Sequence, residues 1–398
     1  MQEINWKHNL FFIWLSQFLA LAGFGMCMPF IPLFMREVLQ VNESMRGVYV
    51  SAFSFAGMTS LCVATAFWGV VADKFGRKLM LLRASYGAAL LYPLLAFAPN
   101  VYILILIRFL CSFFSGTVNP AQTLLVSTTP QEKQGFVLGA LSTATWSGNM
   151  VGYFLGGILV SYIGYRATFL SSGALYMLGA ILVQFFVKDN FVRMPKTEKP
   201  KKTPLKELLT PYVGLILIMF MILGLSRRID QPFIAMLVEV INGLDNAAYW
   251  TGIASMCAAA GGVAAGMLFG WASDHIPLPR LMIPVILVTA VACFLQACSS
   301  NILCLMAARF LAYFAGGGMQ PLLIMWLGKV TDPAKKGTFF GWSASANIFG
   351  GILSTLISGT VILACGVRGV FAAGGILTLI LLPLILIGIR WAPRNTKL

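Results

Sequence analysis

The sequence predicts an all-α, polytopic membrane protein in which twelve transmembrane helices form two six-helix bundles with pseudo-two-fold symmetry. Three observations carry that reading. Hydrophobic residues make up 59% of the 398-residue chain and mean hydropathy is +0.84, whereas a soluble domain is about half apolar. Twelve apolar runs fall in two sets of six, separated by one charged interval that carries prolines. The two sets share residues at a nearly constant spacing.

The first six runs cover residues 10–34, 48–72, 79–98, 101–127, 136–163 and 167–187. The second six cover 212–241, 247–272, 281–297, 302–327, 339–364 and 370–391. Roughly 20 apolar residues cross a hydrocarbon core about 30 Å thick. Helices are expected because lipid-exposed backbone must satisfy its hydrogen bonds within the segment. The interval between the sets holds Lys196, Lys199, Lys201, Lys202 and Lys206 with Pro195, Pro200 and Pro204. Proline fixes φ and removes a backbone donor, so this interval reads as a solvated linker. The expected organisation is therefore an N-terminal bundle over 1–187, a linker over 188–210 and a C-terminal bundle over 211–398.

Charge sets the orientation. Of 28 Lys and Arg, 20 lie on the side of the termini and linker, and Arg36, Arg46, Arg166 and Arg368 lie opposite. Arg108, Arg227, Arg228 and Arg309 fall inside helices. The positive-inside rule then places both termini and the linker in the cytoplasm, here of a plasma (bacterial inner) membrane. The net charge of +15 is spread between apolar runs rather than gathered on one face, so no nucleic-acid partner is expected. All eight cysteines lie in apolar runs without a CxxC pair, and His8 and His275 stand at segment ends. The cysteines read as small buried residues, and neither residue type gives a metal site. The run after Asn9 is too long for a signal-peptide core and lacks a small-residue cleavage site.

The halves repeat. Arg108-Phe109-Leu110 recurs as Arg309-Phe310-Leu311, Pro29-Phe30-Ile31 as Pro232-Phe233-Ile234, and Gly164-Tyr165-Arg166 as Gly366-Val367-Arg368. The offset stays between 201 and 203 residues across four helices. Parallel repeats of six helices are the arrangement of one large class of secondary transporter, with a substrate site near the midplane between halves.

The densest motif is Gly69-Val70-Val71-Ala72-Asp73-Lys74-Phe75-Gly76-Arg77-Lys78, between the second and third runs, with a worn copy at Gly270-Trp271-Ala272-Ser273-Asp274. With Gly23 followed by Pro29 and Pro32, with Arg108, and with Gly148-x-x-x-Gly152-x-x-x-Gly156-Gly157, it resembles the major facilitator superfamily, most closely the twelve-helix drug:proton antiporter branch. The chain departs from that branch at Tyr153, where a proline is usual, and at Cys111 and Ser112 after Arg108.

The resemblance implies that Gly69, Asp73, Gly76, Arg77, Lys78 and Asp274 form a cytoplasmic gate. There Asp73 would hold the halves together, partly by facing a helix N-terminus, whose positive end favours an anion. Local pairing of Asp73 with neighbouring bases is the plainer alternative. The resemblance also places Arg108, and by symmetry Arg309, near a coupling or substrate path. Alternatively, Arg108 is a structural guanidinium bonded to carbonyls at a break such as Pro120. Intramembrane charges are costly and mark pathways by default, which directs attention to Arg227-Arg228-Ile229-Asp230 in the seventh run. Asp230 lies about 27 Å along the helix from the linker end, past the midplane. Arg227, three residues away, shares its face and is its expected partner, in coupling or simply in folding. Arg228 points elsewhere and awaits a partner such as substrate. Asp230 is the expected proton carrier, with Glu239 nearer the outer end. Asn119, Gln122, Trp146, Asn149, Gln231, Gln320, Trp326 and Asn347 are candidates to line the cavity, the aromatics for apolar cargo and the amides for orientation.

Two functions remain open on the sequence. One is proton-coupled efflux of amphipathic small organic compounds by a monomer in the lipid bilayer, with the proton gradient as energy source and no cofactor. The other is transport of an anionic metabolite or chelator on intramembrane arginines, since arginine suits bidentate carboxylate recognition. No catalytic constellation or phosphate-binding loop points to an enzyme.

Overall fold

The computed structural model describes residues 5–189, 210–331 and 336–391, without the side chains of Asp73, Met267, Trp271, Ser273, Asp274, Pro279 and Lys336. The expected linker core lies outside the described residues. Twelve helical spans run through them. The first six are α1 (Trp6–Glu37), α2 (Glu43–Phe75), α3 (Arg77–Phe97), α4 (Val101–Thr128), α5 (134–163) and α6 (165–186). The second six are α7 (Pro211–Asn242), α8 (Ala247–His275), α9 (Leu278–Cys298), α10 (Ile302–Val330), α11 (336–365) and α12 (367–391).

Local chemistry explains the starts. Asn5, Asn42, Asn100 and Asn301 each accept a backbone N–H of the following first turn, and Thr210 does so for α7. These side chains satisfy donors that a helix leaves orphaned. The sequence repeat returns in the breaks. Gly164 joins α5 to α6 with φ of 80°, and Gly366 joins α11 to α12 with φ of 68°, a region that favours glycine. A 3-10 turn interrupts α1 at Met28–Phe30 and α7 at Gln231–Phe233, each around its repeated proline.

The contacts divide the chain into two compact units, one of Met1–Pro195 with Leu244–Met256 and one of Lys196–Gly243 with Cys257–Leu398. In the first, α5 lies on α1. A Cβ at Gly148 would fall 2.5 Å from the Phe18 carbonyl, one at Gly156 2.8 Å from the Met26 Cα, and one at Gly152 on the Ala22 backbone. The glycine repeat that resembles an antiporter motif is thus the seam where two backbones touch. The opening turns of α8 pack on the same helix, with a Cβ at Gly252 falling 2.6 Å from the Tyr153 carbonyl. This contact is why Leu244–Met256 joins the first unit.

In the second unit the same device recurs one repeat later, with Gly350 on the Met221 carbonyl and Gly224 on that of Asn347. Ile216, Phe220, Leu322 and Trp326 fill its core. Large apolar side chains remain exposed along both units, Phe185 at 72% and Leu303 at 67% among them, as lipid-facing helices require. The cysteines are free, but Cys62, Cys298, Cys304 and Cys365 are exposed. The expectation that all eight are buried is therefore corrected, because an apolar run in lipid need not face protein.

Candidate functional site

The strongest polar feature inside the second unit is an ion pair. Arg309 Nη1 donates to Asp230 Oδ2 at 2.5 Å and to Gln296 Oε1 at 3.1 Å, and Nη2 donates to the Tyr313 hydroxyl at 3.3 Å. The side chains of Arg309 and Asp230 are only 2% and 10% exposed. The guanidinium also stands 4.9 Å from the Tyr313 ring centroid and 5.9 Å from that of Phe371. Four helices, α7, α9, α10 and α12, therefore meet on one charge.

The local fold of α7 makes this possible and overturns the expected Arg227–Asp230 pair. The α-helix ends at Ser226, residues 227–230 turn, and Phe233 N–H bonds back to the Asp230 carbonyl. Residues three apart share a face only on a continuous helix. With the helix stopped, Asp230 turns to Arg309. Arg227 and Arg228 stay half-buried at the break. Glu239 is buried on the short helix that follows.

Arg108, the symmetry mate of Arg309, is held differently. Its Nη1 donates to the Tyr92 hydroxyl at 3.4 Å, and its guanidinium lies 5.4 Å from the Phe53 ring and 5.8 Å from Phe24. Gly57 gives it room, since a Cβ there would fall 2.5 Å from Arg108 Nε. No carbonyl at Pro120 enters, so aromatic faces replace the expected backbone acceptors. The residue at the repeat position of Asp230 is Cys27, buried and uncharged.

At the gate motif, Gly76 turns α2 into α3 in a single residue, with φ of 93°, and donates to the Ala72 carbonyl. The side chains of Asp73 and Asp274 lie outside the described residues. A different acid faces the α3 N-terminus: Asp189 Oδ2 accepts from Arg77 N–H at 3.2 Å and Lys78 N–H at 3.0 Å. Lys78 Nζ donates to the Gln184 carbonyl at 2.9 Å. Nearby, Asn9 and Lys188 exchange hydrogen bonds of 2.8 and 3.1 Å. Sequence reasoning missed Asn9 and Asp189. Their signal was modest: polar groups at the rim of apolar runs.

The cavity candidates scatter. Asn119 is exposed, and with Gly69 and Arg77 it lines a pocket between α2, α3 and α4. Gln231 is exposed, while Gln122, Trp146 and Gln320 are half-buried. Asn149 Nδ2 donates to the Thr145 carbonyl of its own helix. Two candidates are corrected. Trp326 is fully buried and donates Nε1 to the Tyr212 hydroxyl at 2.8 Å. Asn347 donates to the Phe220 carbonyl at 3.3 Å across the α7–α11 seam. Both hold the core together.

Twelve apolar helices in a twofold repeat, broken at matching glycines and prolines and carrying a buried charge pair, define a multi-pass membrane transporter rather than an enzyme. The Major Facilitator Superfamily profile matches residues 13–240 and again 216–397, and the chain belongs to that family. It is 32% identical over 379 residues to the multi-drug resistance efflux pump PmrA of Streptococcus pneumoniae serotype 4, covering 94% of each chain. It is 30% identical over 371 residues to the multidrug resistance protein MdtG of Proteus mirabilis, covering 92% of each. Among solved structures, it superposes on a bacterial homologue of the human lysosomal transporter Spinster in its inward-facing, occupied state. That match has a TM-score of 0.78 at 13% identity, over 98% of this chain and 97% of the other. A point mutant of the nucleoside transporter NupG gives 0.76 at 14% identity, over 96% and 99%. At such identity these two likenesses speak for the fold.

Proposed function

We propose that the chain exports amphipathic small organic compounds by alternating access, driven by inward proton flow, as a monomer in a bacterial inner membrane. The termini and linker face the cytoplasm. The supporting observation is the buried Asp230–Arg309 pair seated on the break in α7. A carboxylate held by one guanidinium has two competitors, a proton and a cationic substrate. Protonation of Asp230 removes the anion, and Arg309 falls back on Gln296 and Tyr313. A cation approaching the same carboxylate does likewise. Proton and cargo then exclude each other at one acid, which is the minimum requirement for exchange. The relatives named as multidrug efflux pumps support the direction and the cargo class. No cofactor enters this scheme.

Proteoliposomes loaded with ethidium and given an imposed pH gradient test it. Ethidium should leave faster with the gradient than without, and Asp230→Asn should abolish the difference. Gradient-driven efflux that survives in Asp230→Asn removes the acid from the scheme.

A second reading keeps some support. Arg108 contacts a hydroxyl and two aromatic faces rather than a carboxylate, so an anionic substrate finds an arginine there. Indifference to ethidium, with organic-anion transport lost in Arg108→Gln, would favour it.

A further inference from the structure

The first unit contains a basic pocket that the scheme above does not use. It lies between α2, α3 and α4, with a volume of about 170 Å³. Its walls include Leu61, Ala64, Met80 and Phe113, and two arginines, Arg77 and Arg83, line it. The Arg83 guanidinium stacks on Trp68, 3.8 Å from the ring centroid. That ring is itself fixed, because Trp68 Nε1 donates to the Phe113 carbonyl at 2.8 Å. Arg83 Nε and Nη1 are buried without a hydrogen-bond partner. Buried donors left unmade are costly, and an arginine fork matches an oxyanion. No carboxylate is among the described residues that line the pocket.

We propose that this pocket binds the oxyanion head and first methylenes of an anionic amphiphile drawn from the bilayer. Arg83 is the anchor, its plane set by Trp68, and a small rotation of the guanidinium within the pocket brings its unpartnered Nε and Nη1 donors to the anion. Position favours a lipid-borne ligand. Arg83 stands six residues into α3, about 9 Å along the helix from its start, where a head group at the membrane boundary reaches it. The wall is apolar, as acyl carbons require. The size is too small for a drug-sized molecule, whose pockets run to about 300–1,000 Å³. Two arginines, with no acid among the described lining residues, favour an anionic guest over a cationic one. The inference is independent of proton coupling and of Asp230.

The test is lipid retention by the full chain. Protein reconstituted with phosphatidylcholine and a minor share of phosphatidylglycerol is released into detergent, and bound lipid is counted by native mass spectrometry. Wild type should keep phosphatidylglycerol in preference to phosphatidylcholine. Arg83→Gln should lower its retention at least about tenfold, the scale of a charged hydrogen bond. Gly69→Leu is the second variant: Gly69 lines the pocket and a Cβ there meets nothing within 4 Å. It fills the space, leaves the Arg83–Trp68 stack in place, and should lose the lipid as well. A parallel arm with oleate separates a phosphate head from a carboxylate head, and retention of either supports the site. Equal retention in wild type and both variants overturns it. So does loss in Arg83→Gln alone, which would place the lipid elsewhere, or binding of soluble glycerol 3-phosphate without either lipid.

Discussion

Arg309 and Asp230 stand 79 residues apart in the chain and 2.5 Å apart in space, Nη1 to Oδ2, where the break in α7 meets α10. Their repeat counterparts, Arg108 and Cys27, form no such pair. One half of a duplicated protein thus carries at this position a buried counter-ion where the other has a cysteine. Truncating one partner of a buried pair leaves the other charge uncompensated, at a cost of about 3–5 kcal/mol. Asp230→Ala should therefore lower unfolding stability by about that amount. Asp230→Asn with Arg309→Gln together should recover much of it, since residues in contact are strongly non-additive. A double-mutant cycle on detergent-solubilised protein measures this. Additive losses would show that the pair is not coupled.

Arg108 should behave otherwise. Its charge already rests against a hydroxyl and aromatic faces, so Arg108→Gln forfeits a single long hydrogen bond and weak cation–π contacts. The expected cost is about 1 kcal/mol, well below that of Arg309→Gln. Comparing the two variants in one unfolding assay decides it. Equal losses would mean that the two arginines carry the same structural duty.

The seam between α1 and α5 gives a prediction with an internal control. A Cβ at Gly152 collides with the Ala22 backbone, whereas one at Gly139 on the same helix meets nothing within 4 Å. Gly152→Ala should destabilise by about 1–3 kcal/mol or more, because a backbone cannot swing aside as a side chain does. Gly139→Ala should be neutral or stabilise by up to about 1 kcal/mol, the helix propensity difference. Melting temperatures of the two variants make the comparison directly.

Much of this fold was legible because lipid enforces simple rules. Long apolar runs had to be helices, and the offset of Arg108 to Arg309 and of Gly164 to Gly366 exposed the repeat that the backbone breaks display. The site was less legible for a physical reason. Periodicity assumes that a helix continues, and α7 stops at Ser226. Once it stops, spacing says nothing about which side chains meet, and Asp230 passed from Arg227 to Arg309. Trp326 and Asn347 misled for another reason. An aromatic or an amide in an apolar run is compatible with cavity or core, and only the partners Tyr212 and Phe220 decide. Asp189 lay at the start of the interval read as linker, so its capping role had only the modest signal of a polar group at the rim of an apolar run.

The hinges at Gly164 and Gly366 should tolerate no side chain, although a Cβ at either meets nothing within 4 Å. Space is not the constraint; both have positive φ, 80° and 68°. With ψ of 172° and −173° both lie in the extended positive-φ region that is essentially glycine's alone, so alanine at either place should cost about 1–3 kcal/mol through backbone strain. Asparagine is favoured only in the left-handed helical region, at ψ of about +45°, and should give no relief here. Comparable losses for alanine and asparagine at both sites, read from melting temperatures, are the expected result. Alanine variants as stable as wild type would show that the backbone at these joints relaxes without cost.

Asp189 joins the end of α6 to the first turn of α3, and the consequence reaches the gate motif. Its carboxylate takes two backbone N–H groups, those of Arg77 and Lys78, that no preceding turn can satisfy, and it adds a negative charge at the positive end of α3. Asp189→Ala should remove about 1 kcal/mol, the usual worth of an N-terminal cap. Asp189→Asn keeps an acceptor oxygen and loses the charge, so it should fall between wild type and alanine. The loss should also be local. Hydrogen exchange at the Arg77, Lys78 and Leu79 amides should quicken in Asp189→Ala, while amides of the α1–α5 seam keep their rates. Uniform acceleration across the first unit would mean that Asp189 supports the whole bundle rather than one helix end.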